Sequence, residues 1–190
     1  QEARANFFTE QLKAVPLADV VVLNESCATT TFTRQRGRCP VHRRLPQHVP
    51  AGHWKRLSIL AAISAAGVLC AASVDAATDA DVFRGFVTDC LVPTLRLGML
   101  VVMDNLSAHK VAGVREAVEA SGCRLVYLPP YSPDLSPIEN IWSKAKSLMR
   151  TLEARTVEDL EVAVTLALEQ VTADDCRNCF EACGYSLHLK

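Results

Sequence analysis

Glycine and proline are scarce, at 8 and 9 of 190 residues, which excludes a collagen-like, low-complexity or disordered chain. No run of 18 consecutive apolar residues is present, because the charge-free stretch 57–74 is interrupted by Ser58, Ser64 and Ser73, so the sequence is not read as holding a membrane span. The most apolar stretch, residues 57–74, divides instead into two strand-length runs about Ala65-Ala66-Gly67. A basic-then-apolar leader is missing, and the expected compartment is the cytoplasm, with no membrane partner. The first residue is Gln1 rather than Met, which reads as a trimmed or partial product. Neither charge sign dominates: 20 Lys and Arg face 21 Asp and Glu, for a net charge of −1, and the balance alone gives no pull toward nucleic acid. A phosphate-cradling glycine loop, a dinucleotide fingerprint and a Ser–His–Asp arrangement are all missing.

What is present is a chain with 49% hydrophobic residues, long enough for one domain with a full core. Strand-like and helix-like runs alternate, which predicts a layered α/β domain over residues 1–190. Residues 1–13 read as the end of a helix and Val20 to Asn24 as a first strand. Leu57 to Ser64 and Val68 to Val74 read as a hairpin, and Met99 to Met103 as a buried strand. Thr78 with Asp81 is expected to cap a helix, as are Thr156 with Asp159 and Thr172 with Asp175. Helices are expected over Val111 to Ala120, closed by Gly122, and from Pro137 to about Arg150, with a short strand at Leu125 to Leu128 between them. Of eight cysteines, Cys176, Cys179 and Cys183 share one helical face, with His188 nearby. That spacing suits a core stripe as well as a ligand set.

Two carboxylates stand out. Asp104 closes the apolar run Met99-Leu100-Val101-Val102-Met103 and precedes the breaker stretch Asn105-Leu106-Ser107-Ala108-His109, so it points out of the C-terminal end of a strand, where open α/β sheets bind ligands. Glu139 follows after 34 intervening residues, at the mouth of a helix announced by Ser136 and Pro137. Carboxylates gathered from separate elements suit a hard cation such as Mg²⁺ that also holds substrate phosphates. Each also has a structural reading: an Asp can accept turn N–H groups, and Ser136 with Glu139 spells a capping box. Arg34, Arg36, Arg38, Arg43 and Arg44 crowd into one Gly- and Pro-punctuated loop that can neutralise phosphates. Glu139, Ser143, Lys146 and Arg150 line one helix edge, a track for a DNA backbone or a solvated face. Tyr131 reads as a packing residue that shapes its loop.

The runs MDNLSAHK (103–110), LPPYSPDLSPIENIWSKAK (128–146) and CFEACGY (179–185) resemble the catalytic domain of DDE transposases of the mariner superfamily, most closely the bacterial insertion-sequence branch. GHWKRLSILAAIS (52–64) and RTVEDLEVAV (155–164) extend the resemblance along nearly the whole chain. The resemblance implies a ribonuclease-H-like fold, a mixed sheet flanked by helices. It implies cleavage and strand transfer of double-stranded DNA at transposon ends and target, with self-association on the DNA. It makes Asp104 the second and Glu139 the third of three acids that hold two divalent ions, Mg²⁺ or Mn²⁺, and sets His109, followed by Lys110, close to the scissile phosphate.

The first acid is not there. Asn24 stands where the resemblance places an Asp, and Glu25, the next strand residue, points to the other face. An amide oxygen can ligate a metal but carries no charge. The helix-turn-helix pattern that addresses such enzymes to transposon ends is also not visible. Two functions therefore stand side by side: an impaired strand-transfer domain, and a non-catalytic remnant or domesticated domain that binds DNA or a partner. A nuclease of the same fold acting on RNA–DNA hybrids is a third, disfavoured by the Tyr-Ser-Pro-Asp run.

Overall fold

The computed structural model describes residues 6–12, 15–105 and 109–185. Five strands form one mixed sheet: β1 (Val20–Thr29), β2 (Arg56–Ser64), β3 (Gly67–Val74), β4 (Leu100–Met103) and β5 (Arg124–Tyr127). Their order is β3-β2-β1-β4-β5. The first three are an antiparallel meander, while β4 and β5 join parallel to β1. The helices are α1 (Ala80–Gly85), α2 (Val114–Ala120), α3 (Pro137–Leu152), α4 (Val157–Glu169) and α5 (Ala173–Ala182). This is the expected mixed sheet flanked by helices.

Alternation along the central strands assigns the layers. Val20 and Val22 of β1, with Leu100 and Val102 of β4, pack with Ile138 and Trp142 of α3, Leu160 of α4 and Phe180 of α5. Val21 and Leu23, with Val101 and Met103, pack on the opposite face with Phe83, Val87, Val114 and Val118. Strands covered on both faces read as unbroken apolar runs, which is why Val20-Val21-Val22-Leu23 and Leu100-Val101-Val102-Met103 show no alternation. Trp142 is among the largest fully buried side chains, and its truncation to Ala should cost about 3–5 kcal/mol.

The expected hairpin forms, turning at Ala65-Ala66 with Gly67 at φ 129°. Two expectations need correction. β1 does not end at Asn24: it continues to Thr29 because β2 pairs with it throughout, from Val21↔Ser64 to Thr29↔Arg56. Ladder pairing carries the strand on through the polar pair Glu25-Ser26. The cap of α1 is Asp79 rather than Thr78; its carboxylate accepts from the N–H groups of Asp81 (3.0 Å) and Val82 (2.9 Å). The N-terminal segment is helical in its described part, a short π-helix over Phe7–Gln11 where a helix end is expected, and residues 1–5 and 13–14 lie outside the described residues.

Thr156 and Thr172 cap α4 and α5 as expected. The cysteine face of α5 turns inward: Cys176 and Cys183 are core residues, and burial pushes their thiols up to about 11, away from the thiolate a metal needs. His188 lies outside the described residues. Among the described residues no helix is long and apolar enough to cross a membrane.

An ion pair ties α3 to the start of α5. Lys144 donates to Asp175 and to the carbonyl of Gln170. Hydrogen bonds from Lys144 first, then from Thr172, hold the Asp175 carboxyl down at about 2. A depressed carboxyl contributes stability above its unfolded pKa near 4 and loses it as pH falls toward 2. Both side chains remain partly exposed, so screening limits the pair to about 1 kcal/mol. Asp175→Asn should therefore destabilise the fold by about 1 kcal/mol near neutral pH, with the difference vanishing near pH 2 in urea titrations. A pH-independent difference would show that the charge contributes nothing.

Candidate active site

The site begins where β4 stops. Parallel pairing of β1 with β4 runs from Val20↔Leu100 to Leu23↔Met103, so the next residues, Asn24 and Asp104, emerge side by side at the carboxyl end of β4. Both follow the parity of Val22 and Val102 and so face the α3 layer. β2 still holds Asn24 from the other side, opposite Ala61.

Glu139 reaches the same place from α3. Its expected capping partnership does not form: Ser136 is the N-cap residue but makes no side-chain cap bond. The Glu139 carboxylate instead accepts a 2.6 Å hydrogen bond from Asn24 Nδ2. Asn24 Oδ1 accepts from the Glu25 N–H at 2.7 Å. Since a carboxylate only accepts and a backbone N–H only donates, the amide orientation is fixed at both ends. Asn24 is buried, at 5% exposure, so this bond is shielded on one side and meets the cleft on the other.

Asn24, Asp104, Lys110, Pro130, Tyr131 and Glu139 all line one cleft of about 460 Å³. The sequence-predicted acids are thus on one side of the sheet and share one cavity. His109 lies directly against Asp104. Its ring is 1% exposed, lies flat on Phe83 with centroids 4.3 Å apart, and engages Asp104 through Nδ1. Any influence it has on the cleft runs through Asp104. Lys110 is exposed on the cleft wall, its ammonium 5.4 Å from the Tyr127 ring.

The remaining cations sit elsewhere. Arg34, Arg36, Arg38, Arg43 and Arg44 are all exposed on the loop joining β1 to β2. The base of that loop is tied by Thr30 to Lys55, and by Arg155 to the carbonyls of Thr30 and Phe32. Lys146 and Arg150 are half-buried along α3, and the Arg150 guanidinium stacks over Phe32 at 5.0 Å. These two lead from Glu139 toward the arginine loop rather than into the cleft.

Two contributors were not foreseen. Tyr185 is buried, and its hydroxyl donates to the carbonyl of Leu135 at 3.0 Å, pinning the turn that launches α3 and therefore Glu139. Burial raises its phenol well above the usual range, so it remains a donor. Its ring stands edge-on to Phe7, Phe8 and Phe180. The sequence signal was the run CFEACGY, whose contact lies 50 residues back along the chain. Tyr131 is the second. Far from packing, it is 100% exposed, with φ 55°.

As a donor set, Asp104 and Glu139 offer the carboxylates and Asn24 a neutral amide. Among the described residues no three His, Cys, Asp or Glu side chains converge to hold an ion. Two carboxylates in a cleft suit one hard divalent ion whose other ligands come from phosphate and water; they are a weak set for two. The Asn24 amide hydrogen now supplies to Glu139 some of the positive field that an ion would supply. Asn24→Asp removes that donor and sets two carboxylates in contact. In EDTA it should cost about 1–3 kcal/mol, lowering Tm by roughly 2–4 °C per kcal/mol, and millimolar Mn²⁺ should restore the loss. Identical melting curves for the two proteins in EDTA would mean that the Asn24–Glu139 bond has no energetic consequence.

Several known structures share this architecture. The Mos1 strand transfer complex superposes with a TM-score of 0.70 at 16% identity, covering 95% of this chain and 56% of that one. The Mos1 mariner paired end complex with Mn gives 0.72 at 14% identity, over 95% of this chain and 56% of that one. The catalytic domain of Mos1 mariner transposase gives 0.69 at 12% identity, over 95% and 84%. The chain therefore has the fold of that catalytic domain, which is ribonuclease-H-like, and spans little more than half the length of the Mos1 chains in the larger complexes. No curated protein matches it by sequence. Residues 19–161 match the DDE superfamily endonuclease family, three quarters of the chain, and the protein belongs to that family.

Proposed function

We propose that this domain binds double-stranded DNA and is built for divalent-metal-dependent phosphodiester cleavage and strand transfer, with its catalytic capacity reduced by Asn24. The observation that carries the reading is the convergence of Asn24, Asp104 and Glu139 on one cleft at the carboxyl end of β4. The Mos1 structures supporting it include complexes with transposon ends and with Mn or Mg, and the sequence run Tyr-Ser-Pro-Asp-Leu-Ser-Pro-Ile-Glu favours the insertion-sequence branch.

In this reading Asp104 and Glu139 hold the metal, Mg²⁺ or Mn²⁺. When bound, the ion supplies Lewis-acid activation of a water or 3′-hydroxyl and stabilises the leaving oxygen. The chain's own residues do the rest. His109 fixes the Asp104 carboxylate through Nδ1 while Phe83 holds its ring. Lys110 offers a cation at the wall for a phosphate oxygen. The five arginines of the β1–β2 loop, with Lys146 and Arg150, attract the DNA backbone, and self-association on DNA would set two such domains on paired ends.

A second reading, a non-catalytic domain that keeps DNA or partner binding, is favoured by the Asn24–Glu139 bond itself, which satisfies the cleft without a metal. Nicking of supercoiled plasmid in Mn²⁺ separates the two. The first reading expects weak nicking by the natural sequence and an increase of about tenfold or more in Asn24→Asp, since one lost charge-assisted interaction is worth about 1.5–3 kcal/mol. No nicking by either protein, with folding and DNA binding intact, selects the second.

The arginine loop has its own test. Replacing Arg34, Arg36, Arg38, Arg43 and Arg44 with Ser should weaken binding of unrelated duplexes alike. The slope of log K against log salt should shrink by about 0.9 for each phosphate that the loop no longer neutralises. An unchanged slope would remove the loop from the DNA interface.

A further inference from the structure

The two edges of the sheet differ in how they are guarded. At β5 the Arg115 guanidinium donates to the Leu125 carbonyl at 3.1 Å and lies over the Tyr127 ring, so a charged side chain occupies that edge. β3, at the other end of the strand order, has no such guard. Its residues Gly67-Val68-Leu69-Cys70-Ala71-Ala72-Ser73-Val74 include no charge and no proline, the devices that usually blunt an edge. One irregularity interrupts its start, and from Cys70↔Ala62 to Val74↔Ser58 the ladder is regular. Among the described residues no backbone hydrogen bond reaches this stretch from the side away from β2.

A hollow runs beside that open edge. Ala71 pairs with Ala61 and Ser73 with Ile59; opposed residues share a face, so both point into the layer of α4. Being small, they leave a groove of about 480 Å³ between β3 and α4, walled by Val164, Leu168 and Val171. Its charged lining residue is Glu169, which is exposed. α4 as a whole carries Glu158, Asp159, Glu161 and Glu169 and no Lys or Arg. An unpaired strand edge offers main-chain hydrogen bonds to an extended chain, and a pocket beside it receives alternate side chains of that chain.

We propose that β3 and this groove form a docking site for an extended peptide segment of a partner protein, added to the sheet as a further strand. Large aliphatic side chains at alternate positions fill the groove, and a Lys or Arg beside them meets Glu169. A second copy of this chain fits worse. Pairing β3 with its twin about a twofold axis brings only the same small side chains to the hollow and sets two Glu169 carboxylates in one interface. The groove shares no lining residue with the cleft of Asp104 and Glu139, so the proposal stands apart from the DNA-cleaving reading.

Fluorescence anisotropy with the labelled peptide Lys-Leu-Thr-Leu-Thr-Leu-Lys tests it, alongside two N-methylated forms, one methylated at the Leu amides and one at the Thr amides. An added strand pairs through every second amide. One methylated form should therefore bind the natural protein at least about tenfold more weakly, the loss of about two hydrogen bonds, while the other binds as the parent does. Ala71→Arg, at an exposed position of the groove, should keep the natural Tm and weaken the parent peptide by about tenfold or more through like-charge repulsion. Glu169→Gln should weaken it by about 1.5- to 5-fold, the range of one exposed ion pair. No saturable binding by the natural protein, or equal losses with both methylated forms, overturns the strand-addition site. Sedimentation without DNA should show no dimer that Ala71→Arg dissolves; such a dimer would give the edge to a second copy and overturn the peptide partner.

Discussion

Four parallel residue pairs, Val20↔Leu100 through Leu23↔Met103, hold the functional end of this molecule together. Register in a doubly covered sheet is strict, because a slip of one residue would send every side chain to the opposite layer. Here a slip would also turn residue 24 or residue 104 away from α3. The same buried valines and leucines that stabilise the sheet therefore fix which two polar side chains meet at its end. Helix α3 depends on the same constraint: Ile138 and Trp142 pack on that sheet face, and Glu139 lies between them in sequence, directed to the strand ends. Tyr185 closes the arrangement by holding the turn before α3.

Asn24 changes the electrostatics of this frame without changing its shape. Three carboxylates brought together would repel one another unless cations intervened. With an amide at position 24 the cluster is self-consistent, since an N–H of Asn24 satisfies Glu139 and the backbone N–H of Glu25 satisfies the amide oxygen. A fold with Asn24 thus satisfies these groups without metal, and in the proposed reading the loss falls on metal affinity. Charge and shape are separable here because the backbone positions come from the apolar ladder and only the side-chain ends face the cleft.

Much of this was legible in the chain, for physical reasons that can be named. Met99-Leu100-Val101-Val102-Met103 before Asp104 reads as a buried strand because only a doubly covered strand is apolar at every position. Thr156 and Thr172 read as caps because capping is local, a matter of three residues. Asp79 was missed for the same local reason, lying one position beyond the Thr that fitted the pattern. The extension of β1 to Thr29 was not legible, because it depends on β2, whose pairing residues lie more than twenty positions away. The Asn24–Glu139 bond spans 115 residues and no local pattern announces it. The burial of His109 follows from Phe83 on a different element, and the exposure of Tyr131 from a lack of neighbours that its aromatic character concealed.

The central claim is that Asp104 and Glu139 form a divalent-ion site weakened by one missing charge at position 24. Anomalous diffraction from Mn²⁺-soaked crystals of the natural protein and of Asn24→Asp addresses it most directly. The account predicts weak or partial Mn²⁺ density in the cleft of the natural protein, ligated by Asp104 and Glu139. It predicts strong density there in the variant, with the new carboxylate as a further ligand. Mn²⁺ bound only outside the cleft in both crystals, or density unaffected by the substitution, would contradict it.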